Sequence, residues 1–586
     1  MSTHGIISTN KARCRDCYRC VRMCPVKAIR ISDHQAQVDP ERCVACGTCV
    51  RECPQNAKQV RSDLARVIEL IEGEGQVIAS VAPSYVAAFP DFGGGLFPAA
   101  LKALGFDMVT ETAVGAEMVA RETAKLVAEE PHPHVTSACP ALVDMIAKYY
   151  PSALEMVTPV ASPMIAHARH LKGRYGDGAK VVFIGPCPAK KAEAEHPDVA
   201  GVVDVALTFE ELRQWIDSAG IRKDQLRSTD MDDLPASLAR LFPLEGGLAE
   251  AASMGPDLLR QDFVALSGAG EVLEMLDNLR SGSSIRLFEA LFCAGGCVNG
   301  ACFGEGKDVF HRRGRVLQSQ KRAARRSDES EIVAAMGNVD LRRAISESGI
   351  AGPSISEEDV RAVLARTGKM QPEDELNCGA CGYASCRDNA VAVLTGMAEH
   401  AMCIPWMRKV AERKADQIID NSPNGIVIVD STMRIVDFNT AFAKIFSCTP
   451  GTIGQPLSAF MDPGDFERVL AGVVERIVNK DVSFPRYHVS ATMNVYRLED
   501  ENLVVGILAN VNQGTEGLDR PERIREETLS HAEEVIKKQM LMAQEIAGIL
   551  GETTSETRVL LRKLTKLMKE SESGNHDVGG GQADAE

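Results

Sequence analysis

The sequence lacks three features typical of membrane, secreted and nucleic-acid-binding proteins. No window reaches the roughly 18 uncharged apolar residues that indicate a transmembrane helix, so we expect no membrane partner. The first residues have no apolar core of the signal-peptide kind, and we therefore expect a cytoplasmic protein. The net charge is −16, which disfavours nucleic acid as a partner because phosphate binding needs a basic surface.

Disulfides are not indicated either, although the chain has 18 cysteines in 586 residues. This proportion is too low for a small disulfide scaffold, and cytoplasmic thiols stay reduced. The cysteines are grouped, with eight between Cys14 and Cys53 and four between Cys378 and Cys403. Clustered, reduced cysteines favour metal binding.

The first group consists of two identical runs, C-x2-C-x2-C-x3-C-P, which is the bacterial two-cluster ferredoxin pattern. Three thiolates of one loop reach three irons of one cubane, and the fourth cysteine ligates the other cluster. We therefore predict cluster one, bound by Cys14, Cys17, Cys20 and Cys53, and cluster two, bound by Cys24, Cys43, Cys46 and Cys49. Zinc is the alternative, which the repeated pattern disfavours.

Residues 61–330 alternate strand-like and helix-like segments, which predicts an α/β domain. Three cysteine-bearing segments stand out in it, TSACP from Thr136, GPCPAKKAE from Gly185 and EALFCAGGC from Glu289. Together and in this order they resemble the three signatures of the [FeFe]-hydrogenase family. The resemblance covers roughly residues 1–305, including the ferredoxin unit.

The resemblance implies an H-cluster, in which a [4Fe-4S] cubane is joined to a two-iron unit bearing CO, cyanide and a dithiolate amine. Its implied ligands are Cys139, Cys187, Cys293 and Cys297, with Cys297 as the bridge. Lys190 would donate a hydrogen bond to a cyanide ligand, as suits a cation beside an anion. The implied surroundings of the two-iron unit are Ala82, Pro83, Ser84, Ala138, Ser162 and Pro163.

Departures from the family pattern concern proton transfer. Ala138 stands where fast family enzymes have a proton-carrying cysteine, and such groups contribute about 10²–10⁴ in rate. Glu122 matches one relay glutamate, but Lys125 takes the place of the next. Cys302 is a candidate substitute carrier, with a plain structural thiol as the favoured alternative. We therefore predict slow H2 chemistry.

The third group has the spacing C-x2-C-x4-C-x16-C and resembles the four-cysteine iron–sulfur module of anaerobic electron-transfer proteins. Its predicted ligands are Cys378, Cys381, Cys386 and Cys403. Zinc remains the alternative, because four thiolates also suit that ion.

Strand-like runs beyond residue 414, GIVIVD and RIVDFN, resemble the start of a PAS domain, in which Cys448 is expected to be a core thiol. A heptad register from Leu529 has nine apolar residues at twelve a and d positions, which predicts a coiled coil. A helix packed on its own chain is the alternative. His531 is expected to be solvated rather than a phosphoacceptor.

The predicted fold is therefore multidomain, α+β and α/β. The predicted parts are a two-cluster ferredoxin domain (1–60), a hydrogenase-like H-cluster domain (61–330), a helical linker (331–370), a four-cysteine [4Fe-4S] module (371–413), a PAS domain (414–515), a C-terminal helix or coiled coil (516–570) and a disordered tail (571–586).

This combination resembles the sensory branch of the [FeFe]-hydrogenases. It implies four [4Fe-4S] clusters plus the two-iron unit, weak H2 activation, and output to a partner, since no kinase ATP loop or phosphatase motif is present. The implied partners are H2 and protons, a redox partner such as ferredoxin, a serine/threonine phosphatase or kinase, and a second copy of the chain. The alternatives are a ferredoxin-linked catalytic hydrogenase and an electron-transfer scaffold without the two-iron unit.

Overall fold

The computed structural model describes residues 5–130, 132–233, 238–254, 262–279, 284–304, 308–323, 339–350, 352–498 and 502–513. The chain divides into two compact units, Met1–His400 and Ala401–Glu586. Within the described ranges, every helix is too short or too polar to cross a bilayer. The predicted coiled coil, His531 and the predicted tail lie outside the described residues.

The first lobe of the first unit is built from two short antiparallel sheets and two short helices. Its elements are β1 (Ile7–Thr9), α1 (Arg19–Met23), β2 (Ile29–Ser32), β3 (Gln35–Val38), α2 (Thr48–Arg51) and β4 (Lys58–Val60), with β1 paired to β4 and β2 to β3. Both helices begin after a residue in the left-handed conformation, Tyr18 (φ 54°) and Gly47 (φ 79°). These sharp turns let the cysteines of each loop point inward together.

A parallel four-stranded sheet forms the core of the next part, in the order β6-β5-β8-β9. Its strands are β5 (Val77–Val81), β6 (Met108–Glu111), β8 (Lys180–Gly185) and β9 (Val205–Thr208). Its helices are α3 (Leu64–Glu72), α4 (Tyr85–Ala88), α5 (Leu96–Ala103), α6 (Ala113–Glu129), α7 (Pro140–Tyr149), α8 (Pro163–Tyr175), α9 (Ala189–Ala194) and α10 (Phe209–Ser218). Every residue of β5 is buried, as expected for a central parallel strand.

A second parallel sheet, in the order β10-β11-β7, completes this α/β part. Its strands are β7 (His134–Val135), β10 (Phe263–Ser267) and β11 (Leu287–Leu291), accompanied by α11 (Gly247–Ala251), α12 (Ala269–Asn278) and α13 (Val309–Ala323). The α/β fold predicted for this region is therefore confirmed. The first unit ends with α14 (Glu357–Arg366) and α15 (Cys386–Leu394), which pack through Val360, Val363, Leu364 and Ala390.

The second unit begins with α16 (Ile404–Asp420), followed by a five-stranded antiparallel sheet in the order β13-β12-β16-β15-β14. The other elements are β12 (Gly425–Val429), β13 (Ile435–Phe438), α17 (Thr440–Phe446), α18 (Gly464–Leu470), β14 (Arg476–Phe484), β15 (Val489–Leu498) and β16 (Leu503–Gln513). Asn439 Nδ2 donates to the carbonyls of Ile419 (2.8 Å) and Asn424 (2.9 Å), which ties the end of α16 to the sheet. Cys448 packs against the apolar core of this unit.

Candidate metal centre

Four cysteines of the α/β part lie close together, and three of them follow the ends of parallel strands that belong to its two sheets. Cys139 follows β7, Cys187 follows β8 and Cys293 follows β11. Cys297 begins a short 3-10 helix. The Cys187 thiol interacts electrostatically with those of Cys139 and Cys297, and the Cys293 thiol interacts with all three. We call these four residues the central cysteines.

Burial raises the pKa of all four central thiols, that of Cys297 to about 12. Four neighbouring thiols in such a place do not ionise together unless a cation balances their charge. Thiolates are the ligands that zinc and iron–sulfur clusters require. The donor set therefore fits a resident metal group.

The spacing of the thiols helps to separate a single zinc ion from a cluster. Four sulfurs at about 2.3 Å from one tetrahedral zinc lie roughly 3.8 Å from one another. In the described part of the chain, no three cysteine Sγ atoms lie within 4.8 Å of one another. The cysteine groups are therefore too wide for one zinc ion as they stand, and a larger iron–sulfur cluster fits them better.

Lys190 provides a cation at the edge of the central cysteines. Its Nζ donates to Ser162 Oγ (3.0 Å), to Glu193 Oε2 (2.7 Å) and weakly to the Ala138 carbonyl (3.4 Å). It also lowers the pKa of three of the central thiols, those of Cys139, Cys187 and Cys297, against the effect of burial. Its ammonium thus stands where it stabilises negative charge.

Ser84 and its neighbours are a second indication, besides the cysteines, that a group is bound here. Ala82 and Ser84 follow β5, so they lie at the same sheet edge as Cys187. The Ser84 side chain is fully buried, and its Oγ has no hydrogen-bond partner. Buried hydroxyls are normally paired, so this donor fits a polar group that the protein binds here. Pro83 separates Ala82 from Ser84, and Ser162 and Pro163 begin α8.

Two charged residues to which sequence analysis assigned no role hold Lys190 in place. Glu193 is wholly buried and accepts from Lys190 and from Arg343 Nη1 (2.7 Å). Arg343 also donates to Asp198 (2.9 Å). The i,i+3 spacing of Lys190 and Glu193 on one helix is a signal that sequence inspection can use. Arg343 lies 150 residues from Glu193 in the chain and carries no such signal.

Glu122 and Cys302 are placed differently from the central cysteines. Glu122 is half-buried on α6, and among the described residues it forms neither a hydrogen bond nor an ion pair. Cys302 is buried, and burial together with Glu210 and Glu211 raises its pKa to about 12. Its charged neighbours are thus these carboxylates and Lys191, which favours a structural thiol.

The ferredoxin-like lobe holds two further groups of thiols. Cys20 interacts electrostatically with Cys14, Cys17 and Cys53. The other group consists of Cys24, Cys43, Cys46 and Cys49. Each group therefore takes one cysteine from the opposite run, and the two groups lie within one small lobe.

The second of these groups adjoins the central cysteines. A Cβ at Gly47 would lie 2.4 Å from Ala301 Cβ and 2.9 Å from Pro188 Cγ, so the two loops are in close contact. Lys148 on α7 donates to the Cys43 carbonyl (2.8 Å), and Cys139 precedes the first residue of the same helix. The fold thus fixes one group of thiols against the other.

The third cysteine group also packs on the ferredoxin-like lobe. A Cβ at Gly382 would lie 2.8 Å from Val21 Cγ1, and Arg22 Nη1 donates to the Ala380 carbonyl (3.2 Å). Burial raises the pKa of Tyr383 to about 12, and the nearby thiols of Cys24 and Cys381 both contribute to this increase. Cys381 and Cys386 are half-buried and Cys378 is exposed, whereas Cys403 immediately precedes α16 in the second unit.

Comparison with known families defines the class of each part. Residues 75–301 match the iron-only hydrogenase large subunit, C-terminal domain family, and residues 13–57 match the 4Fe-4S dicluster domain family. Residues 374–405 match an Fe-S cluster family, and residues 414–479 match a PAS domain. The chain thus combines a ferredoxin-like region, a region similar to the [FeFe]-hydrogenase H-cluster domain, a region similar to an Fe-S cluster family and a PAS domain.

Individual relatives cover only parts of the chain. It is 27% identical to iron hydrogenase 1 of Clostridium pasteurianum over 39% of this chain and 50% of that one. It is 25% identical to the NADP-reducing hydrogenase subunit HndD of Solidesulfovibrio fructosivorans over 57% of this chain and 64% of that one. The chain therefore spans half to two thirds of these relatives. A solved structure, [FeFe]-hydrogenase HydA1 of Chlamydomonas reinhardtii, is 18% identical, with 50% of this chain and 100% of that chain covered and a TM-score of 0.40.

Proposed function

We propose that the protein is a cytoplasmic hydrogen or redox sensor in which an H-cluster activates H2 slowly. Cys139, Cys187, Cys293 and Cys297 would hold the cubane, and Cys297 would hold the two-iron unit as well. When bound, that unit supplies the chemistry H2 → 2 H⁺ + 2 e⁻. Ser84 and Lys190 would donate hydrogen bonds to its anionic ligands, because the Ser84 hydroxyl is buried without a partner and Glu193 holds the Lys190 ammonium in place.

The observation that carries this proposal is the surroundings of Ala138. Its methyl group holds no proton, and its carbonyl accepts only a weak bond from Lys190. The Lys190 ammonium is itself held between Glu193 and Ser162. These surroundings support H-cluster binding, but the residue beside Cys139 cannot carry protons. Binding without fast turnover is what a sensor requires.

Contacts within the first unit support an electron path away from the H-cluster. Cys46 acts electrostatically on Cys293, which makes cluster two the neighbour of the central cysteines. Cys24 of the same cluster and Cys381 of the third group both lie near Tyr383, which makes the third group the other neighbour of cluster two. Cluster two is thus a branch point, from which cluster one leads to an external redox partner such as ferredoxin. Each [4Fe-4S] cluster passes one electron at a time.

The step to the PAS domain runs through α16. This helix follows Cys403 directly, has 17 residues and is therefore about 25 Å long. Asn439 fixes its far end to the sheet. A change of charge on a cluster bound by Cys378, Cys381, Cys386 and Cys403 would bias this element between two states. The PAS domain and C-terminal helix then pass the signal to a second copy and to a phosphatase or kinase.

A second candidate is a slow catalytic hydrogenase, favoured by relatives named NADP-reducing hydrogenase and periplasmic [Fe] hydrogenase. A third is an electron-transfer scaffold without the two-iron unit. Infrared spectroscopy of the maturated full chain distinguishes the third, because CO and cyanide ligands give bands that protein groups do not. Absence of these bands after maturation would leave only the scaffold.

The variant Ala138→Cys distinguishes the sensor proposal from the catalytic hydrogenase. A thiol beside Cys139 restores a proton carrier, and we expect H2 turnover to rise by about 10²–10⁴. Ala103→Cys, on the exposed face of α5, is the control and should leave turnover unchanged. If the unaltered protein already turns over as fast as ordinary hydrogenases, or if Ala138→Cys does not raise its rate, the sensor proposal is wrong.

A further inference from the structure

Three ligand-type side chains converge where α6 ends and β7 begins, away from all four groups of cysteines. His132 Nε2 lies 2.9 Å from Glu130 Oε2, and His134 Nε2 lies 4.0 Å from the same oxygen. One donor atom of each residue lies within 4.8 Å of the other two, and this is the single such group among the described residues. We call Glu130, His132 and His134 the His/Glu triad.

Hydrogen bonds constrain which nitrogen of each ring can bind a ligand. His132 Nδ1 lies 3.1 Å from the Pro133 carbonyl and its Nε2 lies 2.9 Å from Glu130 Oε2, and since both oxygens accept, either nitrogen can carry the proton of the neutral ring. The His134 ring interacts with the main-chain carbonyl of Glu130. Because His134 Nε2 has no hydrogen-bond partner, this interaction belongs to Nδ1. The Nε2 atom of His134 is thus left without a proton or a partner, and Nε2 of His132 becomes a free ligand when its proton lies on Nδ1.

A ring nitrogen that carries no proton needs a hydrogen-bond donor or a cation beside it. For His134 the problem is acute, because its side chain is 1% exposed and its Nε2 is buried. A buried polar atom without a partner destabilises the folded state. Protonation of the exposed His132 would satisfy one ring and leave His134 unpaired. A divalent cation satisfies both rings and the carboxylate at once.

We propose that the His/Glu triad binds a divalent transition metal of the zinc class, with Nε2 of both histidines and one carboxylate oxygen as ligands. Two imidazoles and a carboxylate are an established zinc donor set, and a water completes the tetrahedron. The carbonyls on both Nδ1 atoms provide the outer hydrogen bonds that orient ligating histidines. The separations between donor atoms need only small side-chain adjustments to suit one ion.

Arg286 is the positive group that opposes this cation. Its guanidinium donates to the carbonyls of Glu130 (2.8 Å) and Val127 rather than to the Glu130 carboxylate. The carboxylate thus stays available as a ligand, and Arg286 weakens the affinity without blocking the site. Since β7 leads from His134 to Ala138 and Cys139, the metal would clamp the chain segment that carries them.

The test uses the full chain with its iron–sulfur clusters in place and one equivalent of zinc sulfate. Zinc K-edge X-ray absorption should show nitrogen and oxygen neighbours at about 2.0–2.2 Å rather than sulfur at about 2.3 Å. Calorimetry with zinc should show at least a tenfold loss of affinity in His132→Ala, a change at an exposed side chain. His311→Ala, at an exposed histidine paired with Asp308, is the matched control and should bind as the unaltered chain does.

Two results would overturn the proposal. One is a zinc spectrum with sulfur neighbours only, which would assign the ion to cysteines. The other is equal affinity in His132→Ala and His311→Ala. Glu130→Gln gives a second check at a half-exposed position, because it keeps the side-chain volume while removing the charge. It should weaken zinc binding without changing the infrared or iron–sulfur spectra.

Discussion

The fold positions the central cysteines and the third cysteine group in different ways. The central ones come from the ends of three separate strands and a 3-10 helix, and the Glu193 carboxylate that positions Lys190 beside them is wholly buried. Three cysteines of the third group belong to one loop and the start of α15, and Cys378 is exposed. The first arrangement depends on remote partners, whereas the second depends mainly on local spacing.

The largest expected effect of this difference is at Glu193. Glu193→Ala leaves Lys190 without its nearest carboxylate and deprives Arg343 of one of its two, and breaking a buried pair typically costs about 3–5 kcal/mol. We expect a clear drop in the melting temperature of the first unit in calorimetry of the full chain.

A matched surface pair provides the control for Glu193. Asp224 and Arg222 are paired at 3.3 Å in the same domain, but both side chains are more than half exposed. Exposed pairs contribute about 0–1 kcal/mol, so Asp224→Ala should hardly shift the transition. Equal shifts in the two variants would mean that the central site does not depend on its buried ion pairs.

This contrast also explains how far the sequence predicts the molecule. Cysteine spacing, strand-like runs and the family motifs were enough for the α/β and PAS folds, which are confirmed, because these signals are local. The ligand assignments stay predictions, although the structure groups the cysteines. Arg343 could not be found, because only the folded chain brings it to Glu193. The unpaired Nε2 of His134 was missed for the same reason, since the sequence does not show whether a histidine is buried.

A smaller, pH-dependent effect is expected at Glu289, within the third hydrogenase-like motif. Its buried carboxylate accepts from the amides of Leu248 (3.0 Å) and Ala249 (3.1 Å), and burial raises its pKa to about 7. The unfolded chain loses this proton near its ordinary pKa of 4.5, whereas the folded chain holds it to about 7. Stability should therefore fall as pH rises from about 4.5 to 7, by at most about 3 kcal/mol.

Glu289→Gln tests this, because a neutral amide keeps one acceptor for the two amides and cannot titrate. We expect lower stability at pH 5 but a flatter dependence of the melting temperature on pH between 5 and 7. The exposed Glu412, paired with Arg408 in the second unit, is the control for a glutamate-to-glutamine change. A slope that Glu289→Gln leaves unchanged would assign the pH dependence to another group.

The smallest expected effect on stability concerns Gly382, where the third group touches the ferredoxin-like lobe. Gly382 (φ +97°) and Gly396 (φ +70°) both lie in the left-handed region, so alanine strains the backbone at either position. Only at Gly382 does the added Cβ meet other atoms, with Val21 Cγ1 at 2.8 Å and Arg22 N at 3.1 Å. Overpacking of this kind costs about 1–3 kcal/mol, and here it would push two loops apart.

The expected readout is magnetic rather than catalytic. Reduced clusters that lie close together couple their spins, so the electron paramagnetic resonance spectrum of the reduced full chain should show coupling between cluster two and the cluster of the third group. Gly382→Ala should weaken that coupling, and Gly396→Ala should preserve it, because a Cβ there meets no atom within 4 Å. If both variants show the same spin coupling, the contact at Gly382 is not the path by which electrons leave cluster two. The third group would then be an exposed loop site without a redox connection to the central cysteines.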